Sequence, residues 1–197
     1  MNMKKIPSLF IRNFTENSHL ATEEVTPGCE WVINGEGLAT VKFDGTCCLV
    51  MNGNLYARFD LKPGRILPLN AIPCQDAADP VTGHFPHWVA TEGNPNYKWH
   101  NIAYAAQGPL PDGTYELCGP HFNGNPEKLK QDTFIRHGSL ILENVPRDYD
   151  GLKSYLERVN IEGIVFHRGN GEMCKIKRSD FGFEWNHSTG KESERNL

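Results

Sequence analysis

The first stretch of this chain that could do chemistry is Ala39-Thr40-Val41-Lys42-Phe43-Asp44-Gly45-Thr46, where a lysine ends an apolar run and an Asp-Gly pair follows. The pattern predicts a buried strand over Ala39 to Phe43, a turn at Asp44-Gly45 and a second strand over Cys47 to Met51. An ammonium at the inner end of a strand is costly to desolvate, so Lys42 must pair with a carboxylate or lose its proton. A free lysine with a pKa of about 10.4 is neutral in roughly one molecule in 2,500 at pH 7, and lowering that pKa by about 3 units takes on the order of 4 kcal/mol. Burial and neighbouring cations can supply such a bias, and a lysine so treated is a nucleophile. The same residues also have a structural reading, in which Lys42 pairs with Asp44 and lends its stem to the core. This stretch alone leaves both open.

Further charged residues fall at strand ends. Thr114-Tyr115-Glu116-Leu117-Cys118 alternates, with Tyr115 and Leu117 on one face and Thr114 and Glu116 on the other, and it runs into the glycine-rich loop Gly119 to Asn125, suited to close approach by a ligand. Ile161-Glu162-Gly163-Ile164-Val165-Phe166-His167-Arg168 and Glu172-Met173-Cys174-Lys175-Ile176-Lys177 flank Gly169-Asn170-Gly171 and predict a hairpin. With a two-residue Asn170-Gly171 turn, Phe166 pairs with Lys175, Ile164 with Lys177 and Glu162 with Ser179, so that Glu162, Lys175 and Lys177 share one face. A three-residue loop shifts the pairing by one and sets Glu162 opposite the two lysines. An amphipathic exposed hairpin is the structural alternative.

The elements that must position these residues are legible to different degrees. Trp31-Val32-Ile33, between turns at Pro27-Gly28 and Asn34-Gly35, reads as a lead-in strand. Asn52-Gly53-Asn54 is a hairpin signal whose second arm, Leu55 to Phe59, delivers Arg58. From Asp60 to Asn96 six prolines and many small polar residues suggest a functional loop or surface excursion. His84-Phe85-Pro86-His87 has metal-like spacing, but Pro86 breaks a helix and no cysteine or acid stands alongside, so a wet loop with two histidines is expected rather than zinc. Lys98 to Gln107 predicts a short helix with Trp99, Ile102, Tyr104 and Ala106 partly buried and Gly108 as its stop. Ser139 to Glu143 reads as a strand. Asp148 to Arg158 reads as the best helix, capped by Asp148 or Asp150, with an apolar stripe at Leu152, Tyr155, Leu156 and Val159.

Composition bounds the class. At 197 residues, 39% hydrophobic and 22% charged, the chain predicts a soluble globular protein of one domain. A net charge of −4 and a pI near 6.1 exclude coating of nucleic acid by bulk charge and confine any such contact to a local groove. No apolar run approaches a membrane span, and Ile6 to Ile11 is too short for a signal-peptide core. The six cysteines form no C-x-x-C pair and read as reduced, small apolar residues of a cytosolic protein.

Taken together, these residues resemble the covalent nucleotidyltransferase superfamily of polynucleotide ligases and RNA capping enzymes. Lys42-Phe43-Asp44-Gly45 matches its first motif and Arg58 the basic residue that follows. Glu116 matches the third motif, Glu162-Gly163-Ile164-Val165 the fourth and Lys175-Ile176-Lys177 the fifth. Thr114 to Asn125, and Val145 through Arg178-Ser179-Asp180-Phe181-Gly182, look closest to small ATP-dependent RNA ligases, the RNA ligase 1-like family, and the similarity spans most of residues 30 to 185.

The resemblance implies an α+β, ATP-grasp-like ligase adenylylation domain over residues 1–185, built on antiparallel sheets with a few flanking helices. It implies no OB domain, and a polar tail over 186–197. It implies that Lys42 attacks the α-phosphorus of ATP, that AMP passes to an RNA 5′-phosphate, and that an RNA 3′-hydroxyl displaces it. Lys175 and Lys177 would neutralise the α-phosphate, and Asp44, Glu116 and Glu162 would hold Mg²⁺ or Mn²⁺. Glu116 is alternatively a ribose contact, Arg58 a contact to the ribose or a 5′-phosphate, and the backbone at Thr40 and Val41 an adenine contact. The chain departs from DNA ligases and capping enzymes in ending soon after the fifth motif, and where many relatives stack an aromatic on the purine it reads Leu140-Ile141-Leu142. The expected partners are RNA ends met by a cytoplasmic monomer. A GTP-dependent capping-type transferase, a DNA ligase, and a non-catalytic nucleotide- or RNA-end-binding module are the alternatives.

Overall fold

Eleven strands and three α-helices occur among the residues that this computed structural model describes, which are 3–14, 19–62, 64–80 and 83–185. In chain order they are β1 (Phe10–Arg12), β2 (Ala21–Val25), α1 (Glu30–Ile33), β3 (Leu38–Lys42), β4 (Thr46–Met51), β5 (Asn54–Leu61), β6 (Ile72–Pro73) and β7 (Phe85–Ala90). There follow α2 (Lys98–Gln107), β8 (Gly113–Cys118), β9 (Thr133–Arg136), α3 (Tyr149–Arg158), β10 (Gly163–His167) and β11 (Met173–Lys177). The architecture is mixed α and β on antiparallel sheets. The polar tail over 186–197 lies outside the described residues.

The described chain forms two compact units. Ile6–Phe43 and Gly138–Trp185 make one, here the lysine unit; the other, the carboxylate unit, is built on Asp44–His137 with residues 3–5. Asp44-Gly45 is therefore not a hairpin turn: β3 belongs to a three-stranded sheet ordered β11-β10-β3, and β4 to a six-stranded sheet ordered β6-β7-β5-β4-β8-β9.

In the lysine unit the core is Leu9, Phe10, Trp31, Val32, Leu152, Leu156, Ile164, Phe166, Ile176 and Phe181. Burial of each large side chain contributes about 1.5–3 kcal/mol, which fixes which face of the three-stranded sheet turns inward. Helix α3 follows its expected stripe, burying Leu152 and Leu156, and Asp148 caps it by accepting from Gly151 N–H at 2.8 Å. Trp31-Val32-Ile33 is one helical turn rather than a strand. The turn signals on either side leave too few residues to reach a partner strand, whereas a helical turn satisfies its groups locally through Asn34 N–H to Glu30 O at 3.0 Å. Ser139 to Glu143 is not a full strand: Ile141 makes a single bridge to Thr40, flanked by Val41 N–H to Leu140 O at 2.9 Å and Leu142 N–H to Ala39 O at 2.8 Å.

Cys29 and Cys174 form a disulfide at a Cα separation of 6.2 Å, which corrects the expectation of six reduced cysteines. Both are fully buried, one capping α1 and the other in β11, and a sequence separation of 145 residues hides the pairing from any spacing rule. Cys47, Cys48, Cys74 and Cys118 are thiols outside any disulfide. Among the described residues no helix is long and apolar enough to cross a membrane.

In the carboxylate unit, β4 and β5 form the expected hairpin, with Met51 opposite Asn54 and both Asn52 (φ 52°) and Gly53 (φ 75°) left-handed as a two-residue turn requires. The excursion from Asp60 to Asn96 holds a strand that Pro86 disguises. Strand β7 pairs with β5 through Phe85–Ala90, and His87, 3% exposed, is a buried residue whose Nδ1 bonds Phe85 O at 2.8 Å. The wet loop with two histidines is thus corrected for His87. Helix α2 has the expected bounds and Gly108 (φ 83°) at its end, but turns Ala103 inward and leaves Trp99 and Ile102 exposed. Strand β9, for which Thr133–Arg136 carries no clear pattern, pairs with β8.

Candidate functional site

Lys42 ends β3, and the register of β10 against both neighbours decides what stands beside it. Gly163 is opposite Lys42 on one side and Lys177 on the other, and Val165 is likewise flanked by Thr40 and Lys175. Strands spaced about 4.8 Å apart therefore set Lys42 and Lys177 in one row roughly 10 Å apart along the backbone, with no side chain between them. The face carrying Thr40, Lys42, Lys175 and Lys177 lies opposite the one that turns Ile164, Phe166 and Ile176 into the core.

The hairpin is closed by three residues, Gly169-Asn170-Gly171, with Arg168 N–H donating to Glu172 O at 2.8 Å and Gly171 at φ 88°. The two-residue register, with Phe166 opposite Lys175 and Ile164 opposite Lys177, is corrected by one place: Phe166 faces Cys174 and Ile164 faces Ile176. The reason is burial. The observed register sends Ile164, Phe166, Cys174 and Ile176 inward together, whereas the other would have put two lysines there. The lysines nevertheless share their face with Lys42, because β10 joins both strands.

Gly163 is required at the centre of this row. A Cβ there would stand 2.3 Å from Ile176 O and 2.9 Å from Lys177 Cα, so no other residue lets β11 come as close. Glu162 precedes β10, off the lysine face by period, yet its Oε2 accepts from Lys42 Nζ at 2.5 Å. Glu162 is thus a partner of Lys42, with Phe43 O a further acceptor at 3.4 Å.

Lys175 carries the clearest electrostatic signature. Burial, then the cations of Lys42, Lys177 and Arg12, lower its pKa to about 8, with Glu162 opposing. Lys177 is held by its backbone, N–H to Asp180 Oδ2 at 2.8 Å, and Asp180 is salt-bridged to Arg12 at 2.7 Å. Thr40 is engaged within the sheet: its hydroxyl donates to Val165 O at 3.1 Å and lies 3.0 Å from His167 Nε2. The Val41 amide is taken by Leu140. Ile141, opposite Thr40 in its bridge, is 53% exposed beside this row and is a candidate apolar contact that sequence reading left unassigned.

The carboxylate unit holds Asp44, Arg58 and Glu116. Asp44 is buried; its Oδ1 accepts from Asn123 Nδ2 at 2.9 Å and its N–H donates to Glu127 Oε1 at 3.1 Å. Glu116 accepts from Gly45 N–H through Oε1 at 3.1 Å and meets His137 Nε2 through Oε2 at 2.9 Å. A Cβ on Gly45 would stand 2.2 Å from Leu117 O, so the glycine of the Asp-Gly pair serves close packing on β8. Cys47 is opposite Glu116, and burial pushes its thiol well up, against the pull of a hydrogen-bonded Arg58. Asn123 lies in the expected glycine-rich loop, whereas Glu127 and His137 carry no motif that would have singled them out.

A family model described as RNA ligase 1 matches residues 102–196, a span that includes Glu116, Glu162, Lys175 and Lys177 and begins after Lys42. RNA ligase 1 of Rattus norvegicus is 28% identical over 75% of this chain and 68% of its own length. RNA ligase 1 of Danio rerio is 25% identical over 92% of this chain and 82% of its own length. The chain is similar to RNA ligase 1 proteins. Each set of expected site residues is gathered within its own unit: Lys42, Glu162, Lys175 and Lys177 in one, Asp44, Arg58 and Glu116 in the other.

Proposed function

We propose that the chain is an ATP-dependent RNA ligase that joins RNA 5′-phosphate and 3′-hydroxyl ends through lysyl-AMP and RNA-adenylate intermediates. In this reading both units are parts of one nucleotidyltransferase domain over residues 1–185. One observation carries it: a strand-end lysine paired with a carboxylate shares a sheet face with two further lysines, across a glycine that leaves the row open. Three ammonium groups on one face repel one another, and a polyphosphate is the kind of ligand that relieves them.

Lys42 is the nucleophile. Glu162 accepts from Nζ and holds it in place; before attack Nζ gives a proton to solvent, a loss favoured by the neighbouring ammonium groups of Lys175 and Lys177. The Nζ lone pair then attacks the α-phosphorus and pyrophosphate leaves. Lys175 and Lys177 neutralise charge developing on the phosphoryl oxygens, the main protein contribution in phosphoryl transfer. AMP next passes to the RNA 5′-phosphate, and the RNA 3′-hydroxyl displaces it. Asp44, Glu116 and Glu162 offer carboxylate oxygens, the donor type that Mg²⁺ or Mn²⁺ takes, and such an ion would supply further charge neutralisation. Arg58 and Glu116 are assigned to the ribose, and the β3 backbone with Ile141 to the base.

The test is incubation with α-labelled ATP or GTP followed by denaturing electrophoresis, then a panel of 5′-phosphorylated RNA and DNA ends. Covalent label from ATP and sealed RNA are the expected results. Label from GTP alone would replace the reading by a capping-type transferase, and sealing of DNA alone by a DNA ligase. Binding without label would leave a nucleotide- or RNA-end-binding module.

A further inference from the structure

Cys47, Glu116 and His137 are the group among the described residues whose sulfur, oxygen and nitrogen atoms all lie within 4.8 Å of one another. Three separate stretches supply them. Cys47 in β4 faces Glu116 in β8 directly across the ladder, and His137 follows β9, the next strand over. Glu116 is already tethered through Oε1 to Gly45 N–H, which leaves Oε2 as the oxygen offered to the cluster. His137 Nε2 meets that oxygen at 2.9 Å, while its Nδ1, shielded from solvent, has no hydrogen-bond partner. A second soft atom stands next to the thiol, with Met3 Sδ 3.5 Å from Cys47 Sγ. Arg58 is hydrogen-bonded to Cys47 as well.

This donor set does not suit Mg²⁺, which takes oxygen ligands in a near-octahedral shell. One thiolate, one imidazole and one carboxylate match a borderline-soft ion held by three protein ligands with a fourth position open. We propose that Cys47, Glu116 and His137 form a binding site for one zinc ion. The S–Zn bond forms as the Cys47 S–H bond breaks, and the proton goes to solvent. The Glu116–His137 hydrogen bond opens to admit the ion. On the nucleotide assignment of Glu116 made above, zinc and ATP compete for that carboxylate, so zinc also restrains adenylylation.

Metal-free protein titrated with Zn²⁺ against a chromophoric chelator should take up one ion per chain, undisplaced by excess Mg²⁺. Titration with Co²⁺ in its place should give a sulfur-to-cobalt charge-transfer band. Cys47→Ser should lose that band and lower zinc affinity by about 100-fold or more, since even loss of a group behind a ligand commonly costs 10–100-fold. His137→Ala should weaken binding comparably with the band retained at higher Co²⁺, and Cys48→Ser should leave both unchanged. Absence of zinc uptake by the unaltered chain, or a band that persists in Cys47→Ser, would overturn the site. If Cys47→Ser does not fold, as judged by its thermal transition, the His137→Ala affinity decides. In a separate arm Zn²⁺ should suppress labelling from ATP and His137→Ala should relieve it. If the unaltered chain takes no label from ATP, the ligase reading fails while the cobalt band still decides the site.

Discussion

The lysine unit and the carboxylate unit handle charge in opposite ways. Lys42, Lys175 and Lys177 stand on one sheet face with Glu162 against Lys42, and burial together with the crowding of cations lowers Lys175 to about 8. Asp44 and Glu116 are each supplied with donors: Asn123 for one, Gly45 N–H and His137 for the other. One unit therefore holds charge under tension and the other holds it at rest. A group under tension is ready to change protonation or accept a ligand; a satisfied group is ready to hold position.

The largest effect should come from removing the nucleophile. Lys42→Ala should abolish covalent labelling from ATP, and Lys42→Arg should do the same because guanidinium stays protonated, whereas both should leave the thermal transition near that of the unaltered chain. A persistent AMP adduct in either variant would place the chemistry elsewhere. Lys177→Ala should lower the labelling rate by about 10²-fold, as loss of one preorganised transition-state donor does, with the adduct still on Lys42 by peptide mapping. If its effect were no larger than that of a surface lysine, the row across Gly163 would have no catalytic meaning.

Next is the backbone that keeps each arrangement in place. Gly163→Ala in the lysine unit and Gly45→Ala in the carboxylate unit each force a Cβ to within 2.3 Å and 2.2 Å of a carbonyl oxygen. Each should lower stability by about 1–3 kcal/mol in urea unfolding, the usual cost of overpacking. Gly163→Ala should in addition slow labelling by moving Lys177.

The tension itself is measurable through pH. The unfolded chain keeps a proton on Lys175 up to its ordinary value of 10.5, whereas the folded chain gives it up near 8. The unfolded state thus binds more protons in that window, and stability should rise with pH between about 8 and 10.5 from this group. Lys175→Met should flatten that rise and stabilise the fold at pH 7 by on the order of 1 kcal/mol. An unchanged profile would remove the claim of tension. The smallest effect is the control: Asp148→Ala removes the cap of α3 and should cost about 1 kcal/mol of stability with labelling unaltered.

What could be read from sequence alone differs along the same division. The helix at Lys98 to Gln107, the Asn52-Gly53 hairpin and the Asp148-capped helix carry local signals and appear with nearly their expected bounds. Strand β7 was obscured because proline is rare inside a ladder, and Trp31-Val32-Ile33 because three apolar residues fit one helical turn as well as a strand. The hairpin register turned on one residue of loop length, which the core decides and the loop sequence does not. Lys42, Lys175 and Lys177 were legible as candidates from their motifs, but the ion pair of Lys42 with Glu162 depends on β10 lying next to β3, a pairing 120 residues apart in sequence. His137 had no signal at all and Asn123 only its place in the glycine-rich loop Gly119 to Asn125, since each meets its carboxylate only through the fold.

The Cys29–Cys174 bond has a consequence for covalent topology. It turns the stretch between them into a ring that contains Lys42, Arg58, Glu116 and Glu162, with only Lys175 and Lys177 of the site residues beyond its closing link. A protease that nicks this ring once cannot release a fragment. A nicked chain should migrate near its intact mass on a non-reducing gel and separate into two pieces only after thiol is added.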